Sequence, residues 1–356
     1  MRKKTIVTIS LLIFSTLCWA FILAMNYTGQ LLFVQARDID GRPGIRLLDP
    51  NNSIFEITSR EPNRVNIKWE KTDIYLKGSC RVKMLENSWN IKVLGQVNNG
   101  KSYPVVIDTG VTDCLTVTDS LVRAADLEIY PVDGLGRNVG GLCHIKKLKL
   151  GTLTIAHPAC VYWLAHYERR VLGYTTWQEK KINLGLGLLR EFSYILIDNV
   201  TREVEFAVKN SFNPQDNNQW QQYRMVTEHN EKQSSKLIID IPIAGESRQI
   251  ELDTGAASGL ILTEKIWAEV SVDLRQLHEE QAQLATPLLG LLSCRKITVK
   301  ELSLGSISIN DAQVNIIAND TPYGHDNFVL GMDFFKETAI VLDFKRNTFW
   351  IRNPES

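Results

Sequence analysis

Val105-Val106-Ile107-Asp108-Thr109-Gly110 and Ile250-Glu251-Leu252-Asp253-Thr254-Gly255 are two strand-like runs that end in the same triplet. Aliphatic and β-branched residues over such a length read as a strand, and the Gly that follows reads as a turn. At average residue usage a given triplet arises by chance in a chain of 356 residues roughly one time in fifteen. Here the surroundings repeat too. Gly100 precedes Asp108 by the same interval as Gly245 precedes Asp253, so each triplet is expected at the end of a hairpin.

The repeat continues downstream. LKLGTLTI around Gly151 returns as LSLGSISI around Gly305, both with the period-2 alternation of half-buried strands. LGLG from Leu184 and VLG from Val329 are each followed by an apolar strand that ends in Asp, at Asp198 and Asp343. Each of these lies 90 positions beyond its triplet Asp. Matching intervals across unlike residues define two copies of one unit. The expected architecture is all-β, with a first lobe over residues 86–208, a polar linker over 209–236 and a second lobe over 237–356. Helical patterning is confined to SLVRAADL and EKIWAEV, about two turns each. Residues 26–85 carry β-like runs without a motif and read as a stalk or N-terminal extension.

A single Asp-x-Gly after a strand is commonly just a turn, with Asp capping the next segment. Two related copies have a chemical reason. Carboxylates about one hydrogen bond apart cannot both ionise, so they share a proton and titrate as a pair. The ionised member can draw a proton from water while the protonated member donates to a substrate carbonyl. Asp108 and Asp253 are therefore the candidate catalytic residues. Thr109 and Thr254 supply hydroxyls that can bridge the two loops, and Gly110 and Gly255 allow close backbone approach. Asp198 and Asp343 form a second related pair, but each precedes a turn and is assigned to the scaffold.

These motifs resemble the aspartic peptidases of the pepsin and retropepsin group. The resemblance rests on the paired DTG triplets, the apolar-apolar-Gly segments at Leu184–Gly187 and Leu330-Gly331, and the glycine-rich GLGRNVGGL, and it covers about residues 88–351. It implies a two-lobed acid-protease fold, catalytic Asp108 and Asp253, a polypeptide substrate held extended, no cofactor and no metal. It also implies a first-lobe flap over 134–145, including Gly140 and Gly141, and a less glycine-rich counterpart over 289–297. Pepsins commonly follow DTG with Ser or Thr, whereas Val111 and Ala256 stand here. Losing that hydroxyl removes a bond favouring each ionised carboxylate, which places the expected pH optimum in the mildly acidic to neutral range. The pepsin flap tyrosine has no clear counterpart, since Tyr130 falls before the glycine-rich stretch.

Other readings compete with catalysis. A peptide-binding or scaffold module could keep the fold without turnover, although a pure binder would not require both carboxylates. A homodimer of half-sites is disfavoured by the linker, which is long enough for the lobes to meet within one chain as a monomer. His157, Cys160, His166 and Cys143 match no tight metal-ligand spacing. Forty basic and forty acidic side chains balance, and no basic patch interleaved with aromatics marks a nucleic-acid surface.

Residues 5–25 carry no charge over 21 positions, about the length of a membrane-crossing helix, and follow Arg2, Lys3 and Lys4. They read as an uncleaved signal anchor in preference to a cleaved peptide, with the N-terminus cytoplasmic and the lobes on the periplasmic or extracellular side. Beyond Cys18, five cysteines leave at least one unpaired. Cys143 and Cys160 are the candidates for a bridge, and buried free thiols are the favoured alternative.

Overall fold

The computed structural model describes residues 30–35, 46–47, 54–61, 64–69, 72–86, 90–132, 139–171, 174–229, 235–243, 245–270, 274–286, 290–305, 307–321 and 328–353. The expected signal anchor over residues 5–25 lies outside the described residues. Among the described residues, no helix is long and apolar enough to cross a membrane.

The chain is mostly β. Strands form an 11-stranded and a 13-stranded sheet, with smaller sheets of three and two strands. At the centre of the first lobe, Ile182–Gly185 lies between Ser102–Asp108, which it pairs in parallel, and Leu115–Thr118, which it pairs antiparallel. The second lobe repeats this with Phe328–Leu330 between Glu246–Leu252 and Leu260–Thr263. The inserted strands and the strands Leu115–Thr118 and Leu260–Thr263 beside them are buried throughout, whereas Glu246–Leu252 is buried only at Ile250 and Leu252. Among the described residues the helices are short. Asp119–Ala124 and Glu264–Val270 follow the two triplets, and Leu186–Leu189 follows the inserted strand.

The turns that feed the two Asp strands differ in chemistry. In the first, Asn98 and Asn99 take the left-handed backbone, with φ of 49° and 60°, and Gly100 donates its N–H back to the Val97 carbonyl. In the second, Gly245 itself is left-handed at φ 87°. The later hairpins match closely. Gly151 and Gly305 sit at φ 58° and 59°, between the closing pairs Leu150↔Leu153 and Leu304↔Ile307.

The larger sheet joins the lobes. Tyr194–Asp198 and Glu203–Ala207, the final hairpin of the first lobe, pair through Tyr194–Asp198 with Ala339–Asp343 of the second. Leu196 pairs with Val341, and these two positions are 145 apart, as are Asp108 and Asp253. Ile195↔Leu342 and Ile197↔Ile340 flank them symmetrically. Equivalent residues thus meet across a local twofold.

Two segments differ from the sequence-based expectation. The linker expected over 209–236 contains the strand Trp220–His229, which pairs with Ser235–Ile243 and Thr348–Arg352. Only Met225 is buried among its described side chains, so the apolar alternation that would reveal it is missing. Within the expected extension over 26–85, Asp73–Tyr75 pairs with Leu153–Ala156, and Ser79–Lys83 pairs with Glu203–Ala207. Those strands close sheet edges of the lobes themselves.

Asp198 and Asp343 serve turns. The Asp198 carboxylate accepts the N–H groups of Val200 and Thr201 at 2.9 and 3.0 Å and the Arg352 guanidinium at 3.1 Å. Asp343, fully buried, accepts the N–H groups of Phe212 and Arg346 at 3.1 and 3.0 Å. Replacing Asp198 by Ala leaves those donors unmatched, which costs about 1–3 kcal/mol. A chemical denaturation curve of Asp198→Ala displaced by less than about 0.5 kcal/mol would contradict this role.

Candidate functional site

The site forms where the two Asp-bearing strands end against each other. Asp108 closes the strand Ser102–Asp108, and Asp253 follows Glu246–Leu252 directly, held by its own N–H to the Leu330 carbonyl at 3.0 Å. Both carboxyl groups are buried, and they are close enough for the charge of Asp108 to act on Asp253.

Four bonds made by the two threonine hydroxyls hold the loops together. The Thr109 hydroxyl donates to the Leu252 carbonyl at 2.5 Å, and the Thr254 hydroxyl donates to the Ile107 carbonyl at 2.9 Å. Each hydroxyl also accepts the backbone N–H of the opposite threonine, at 3.1 Å for Thr109 N–H and 3.0 Å for Thr254 N–H. Each side chain thus bonds the backbone on either side of the opposing Asp. Both threonines are almost wholly buried, so water does not compete for these bonds.

The glycines have a steric reason. A Cβ at Gly110 would lie 2.6 Å from the Asp253 carboxyl carbon, and one at Gly255 would lie 2.2 Å from an Asp108 oxygen. Each glycine of one lobe therefore makes room for the carboxyl of the other. Their amides also serve their own loops. Gly110 N–H donates to Asp108 Oδ1 at 3.1 Å, while Gly255 and Ala256 N–H donate to Asp253 Oδ1 at 2.9 and 3.1 Å.

Behind the loops, the apolar-apolar-Gly segments act as matched supports. Leu186 N–H bonds the Val111 carbonyl at 2.7 Å, and Met332 N–H bonds the Ala256 carbonyl at 2.9 Å. A Cβ at Gly185 would reach 2.1 Å from the Asp113 carbonyl, and one at Gly331 would reach 2.2 Å from the Ser258 carbonyl. The side chain of Asn90 adds a tie that no sequence pattern marks, donating from Nδ2 to the Gly255 carbonyl at 2.8 Å. It links the start of the first lobe to the second triplet.

The electrostatics favour retention of a proton. Burial raises the Asp108 carboxyl, with Lys181 and the Gly110 amide opposing it. Burial raises Asp253 well above the ordinary carboxylate range, and the charges of Asp108 and Glu251 push it further.

The expected flap glycines have a packing environment. Gly140 and Gly141 are buried in Val139–His144, which pairs with Glu128–Pro131 on one side and Cys160–Trp163 on the other. Gly141, at φ 148°, faces the Tyr130 carbonyl so closely that a Cβ would lie 2.2 Å away. Residues 133–138, which include the start of the expected flap, lie outside the described residues. Tyr130 itself packs edge-on against Phe55, with ring centroids 5.2 Å apart.

In the second lobe the corresponding hairpin is longer. Gln276–Thr286 and Gly290–Leu304 pair along most of their length. Its end reaches the first lobe, where the Tyr167 hydroxyl donates to the Thr286 carbonyl at 2.9 Å. Burial and the nearby Glu179 push the Tyr167 hydroxyl up to about 12.

Cys143 and Cys160 are buried free thiols, with Cys160 Sγ donating to the Val161 carbonyl at 3.7 Å, and the remaining described cysteines are also free. Among the described residues, no group of three His, Cys, Asp or Glu side chains is placed to hold a metal ion.

The chain is thus an all-β protein of two similar lobes, with a buried carboxyl pair contributed equally by both. No protein-family profile matches it, and no curated protein matches it by sequence. Among solved structures it is similar to Basic 7S globulin from soybean, at 11% sequence identity over 79% of this chain and 95% of that one, with a TM-score of 0.42.

Two outcomes follow from these contacts. In the folded chain both carboxyls are raised above the unfolded value of about 3.9, so the stability linked to them is complete below that value and is lost as pH rises through the raised range. Asp253→Asn removes the like-charge conflict, and its melting temperature should fall less than that of wild type between about pH 4 and 8. Parallel melting curves against pH would contradict the coupling. Tyr167→Phe should speed amide exchange around residues 283–292 while leaving the Tyr194–Asp198 strand unchanged; equal exchange in both proteins would show that the hydroxyl does not hold the hairpin end.

Proposed function

We propose that the chain is an aspartic endopeptidase of the two-lobed pepsin and retropepsin type, active as a monomer and anchored to a membrane by residues 5–25. The observation that carries this reading is the reciprocal threonine lock around two buried, electrostatically coupled carboxyls. A turn-capping role for Asp108 and Asp253 would require neither their mutual contact nor their burial.

In the proposed reaction Asp108 is the ionised member, aided by Lys181, and Asp253 is the protonated one. Asp108 takes a proton from a water molecule as the water oxygen attacks the peptide carbonyl carbon. Asp253 gives its proton to the carbonyl oxygen, forming a neutral tetrahedral diol. Collapse of that diol breaks the C–N bond, with a proton passing to the departing nitrogen and the carboxyl pair returning to its single shared proton. No covalent bond to the enzyme forms.

The reaction needs one proton on the pair. Because burial raises both groups, the acid limb of the rate profile moves upward and the alkaline limb extends toward neutrality. The absence of a hydroxyl after either Gly acts in the same direction. Full-length protein in detergent should cleave an unbiased peptide library, with an optimum above about pH 4. Asp108→Asn and Asp253→Asn should each lower kcat at least about a hundredfold, the low end of what a positioned acid or base contributes. Wild type that cuts nothing between about pH 3 and 8, or a variant that cuts at the wild-type rate, would overturn the reading. An optimum near about pH 2 to 3 would overturn the account of the missing hydroxyls alone.

A further inference from the structure

Gln30–Gln35, Ala165–Val171 and Tyr174–Gln178 form a separate three-stranded sheet, with Ala165–Val171 in the middle and Tyr174–Gln178 at one edge. Its register fixes an orientation. Gln30 pairs with Arg170, and the hairpin closes at Val171↔Tyr174. The end at which the chain enters this sheet is therefore the end at which the hairpin turns.

That end lies close to the apolar run. Residue 25 closes the run and residue 30 opens the strand, so five residue steps, roughly 18 Å when fully extended, separate them. With residues 5–25 in a bilayer, the hairpin end is held within reach of the interfacial layer between the hydrocarbon and bulk water.

The side chains there suit that layer. Three aromatic side chains are strongly exposed among the described residues, Tyr75, Tyr174 and Trp177, and two of them are on this hairpin. Tyr174 is 78% exposed and Trp177 49%. Tyr and Trp combine an apolar ring with a polar group and concentrate at membrane–water interfaces. Arg169 is exposed on the adjoining strand, beside Arg170, whose charge is paired with Glu168. The carboxylates nearby are matched, Glu168 with Arg170 at 2.5 Å and Glu179 with Lys181 at 3.0 Å, so they add little repulsion toward anionic headgroups.

The geometry points to the paired strands Ala165–Val171 and Tyr174–Gln178 as the surface on which the folded lobes rest on the lipid bilayer, with Tyr174 and Trp177 seated in the headgroup layer. This rests on the signal-anchor reading of residues 5–25 and is independent of peptidase activity. It makes the anchor and the hairpin two attachments at one end of the sheet, which restricts tilting of the lobes relative to the membrane.

The test uses full-length protein in vesicles of phosphatidylcholine and phosphatidylglycerol whose acyl chains are brominated near the headgroup. Bromine quenches nearby tryptophan, and the wild-type minus Trp177→Phe difference isolates Trp177 from the other seven tryptophans. A quenched component that disappears in Trp177→Phe, and grows in Tyr174→Trp, is the expected result. Flotation of the vesicles after an alkaline wash reports the anchor separately. If the protein floats but neither variant changes the quenching, the docking surface is wrong and the anchor stands. Protein that does not float overturns both.

Discussion

The reciprocal bonding of Thr109 and Thr254 is the constraint on which the site depends. Two buried carboxyls repel whenever both are charged, and nothing in either lobe alone would hold them together. The threonines meet this by bonding the opposite main chain, at the residue before the Asp and the residue after it. A side chain of one lobe thereby completes the backbone of the other. Shifting either lobe by the length of one hydrogen bond would break all four contacts together.

The rest of the architecture delivers those two loops. The inserted strands, Ile182–Gly185 and Phe328–Leu330, hold the Asp-bearing strands from one side, and the residues after them tether the loops through Val111 and Ala256. The glycines at 110, 255, 185 and 331 are each set where another group already occupies the space of a Cβ. Their conservation between the two halves of the chain follows from crowding.

Legibility in the sequence tracked how local each interaction is. The Asp-bearing strands, the glycine turns at 151 and 305 and the helix Glu264–Val270 are set by neighbouring residues, and pattern and spacing locate them. Equal intervals concealed one difference, since Asn98 and Asn99 do in the first hairpin what Gly245 does in the second. Trp220–His229 left little trace because most of its described side chains are partly or fully exposed. Asn90 and Tyr167 bond backbone carbonyls of the other lobe, at Gly255 and Thr286. A carbonyl is common to every residue, so such a partner has no sequence signature.

The pairing of Leu196 with Val341 has a consequence for how such a chain could arise. Antiparallel strands whose equivalent residues meet at a twofold form an isologous contact, the kind by which two identical subunits associate. A half-length chain bearing this strand would pair with a second copy of itself in the same register. Joining two copies would preserve every contact at the axis while freeing each side to change alone. Leu on one side and Val on the other show that such divergence has reached the axis itself.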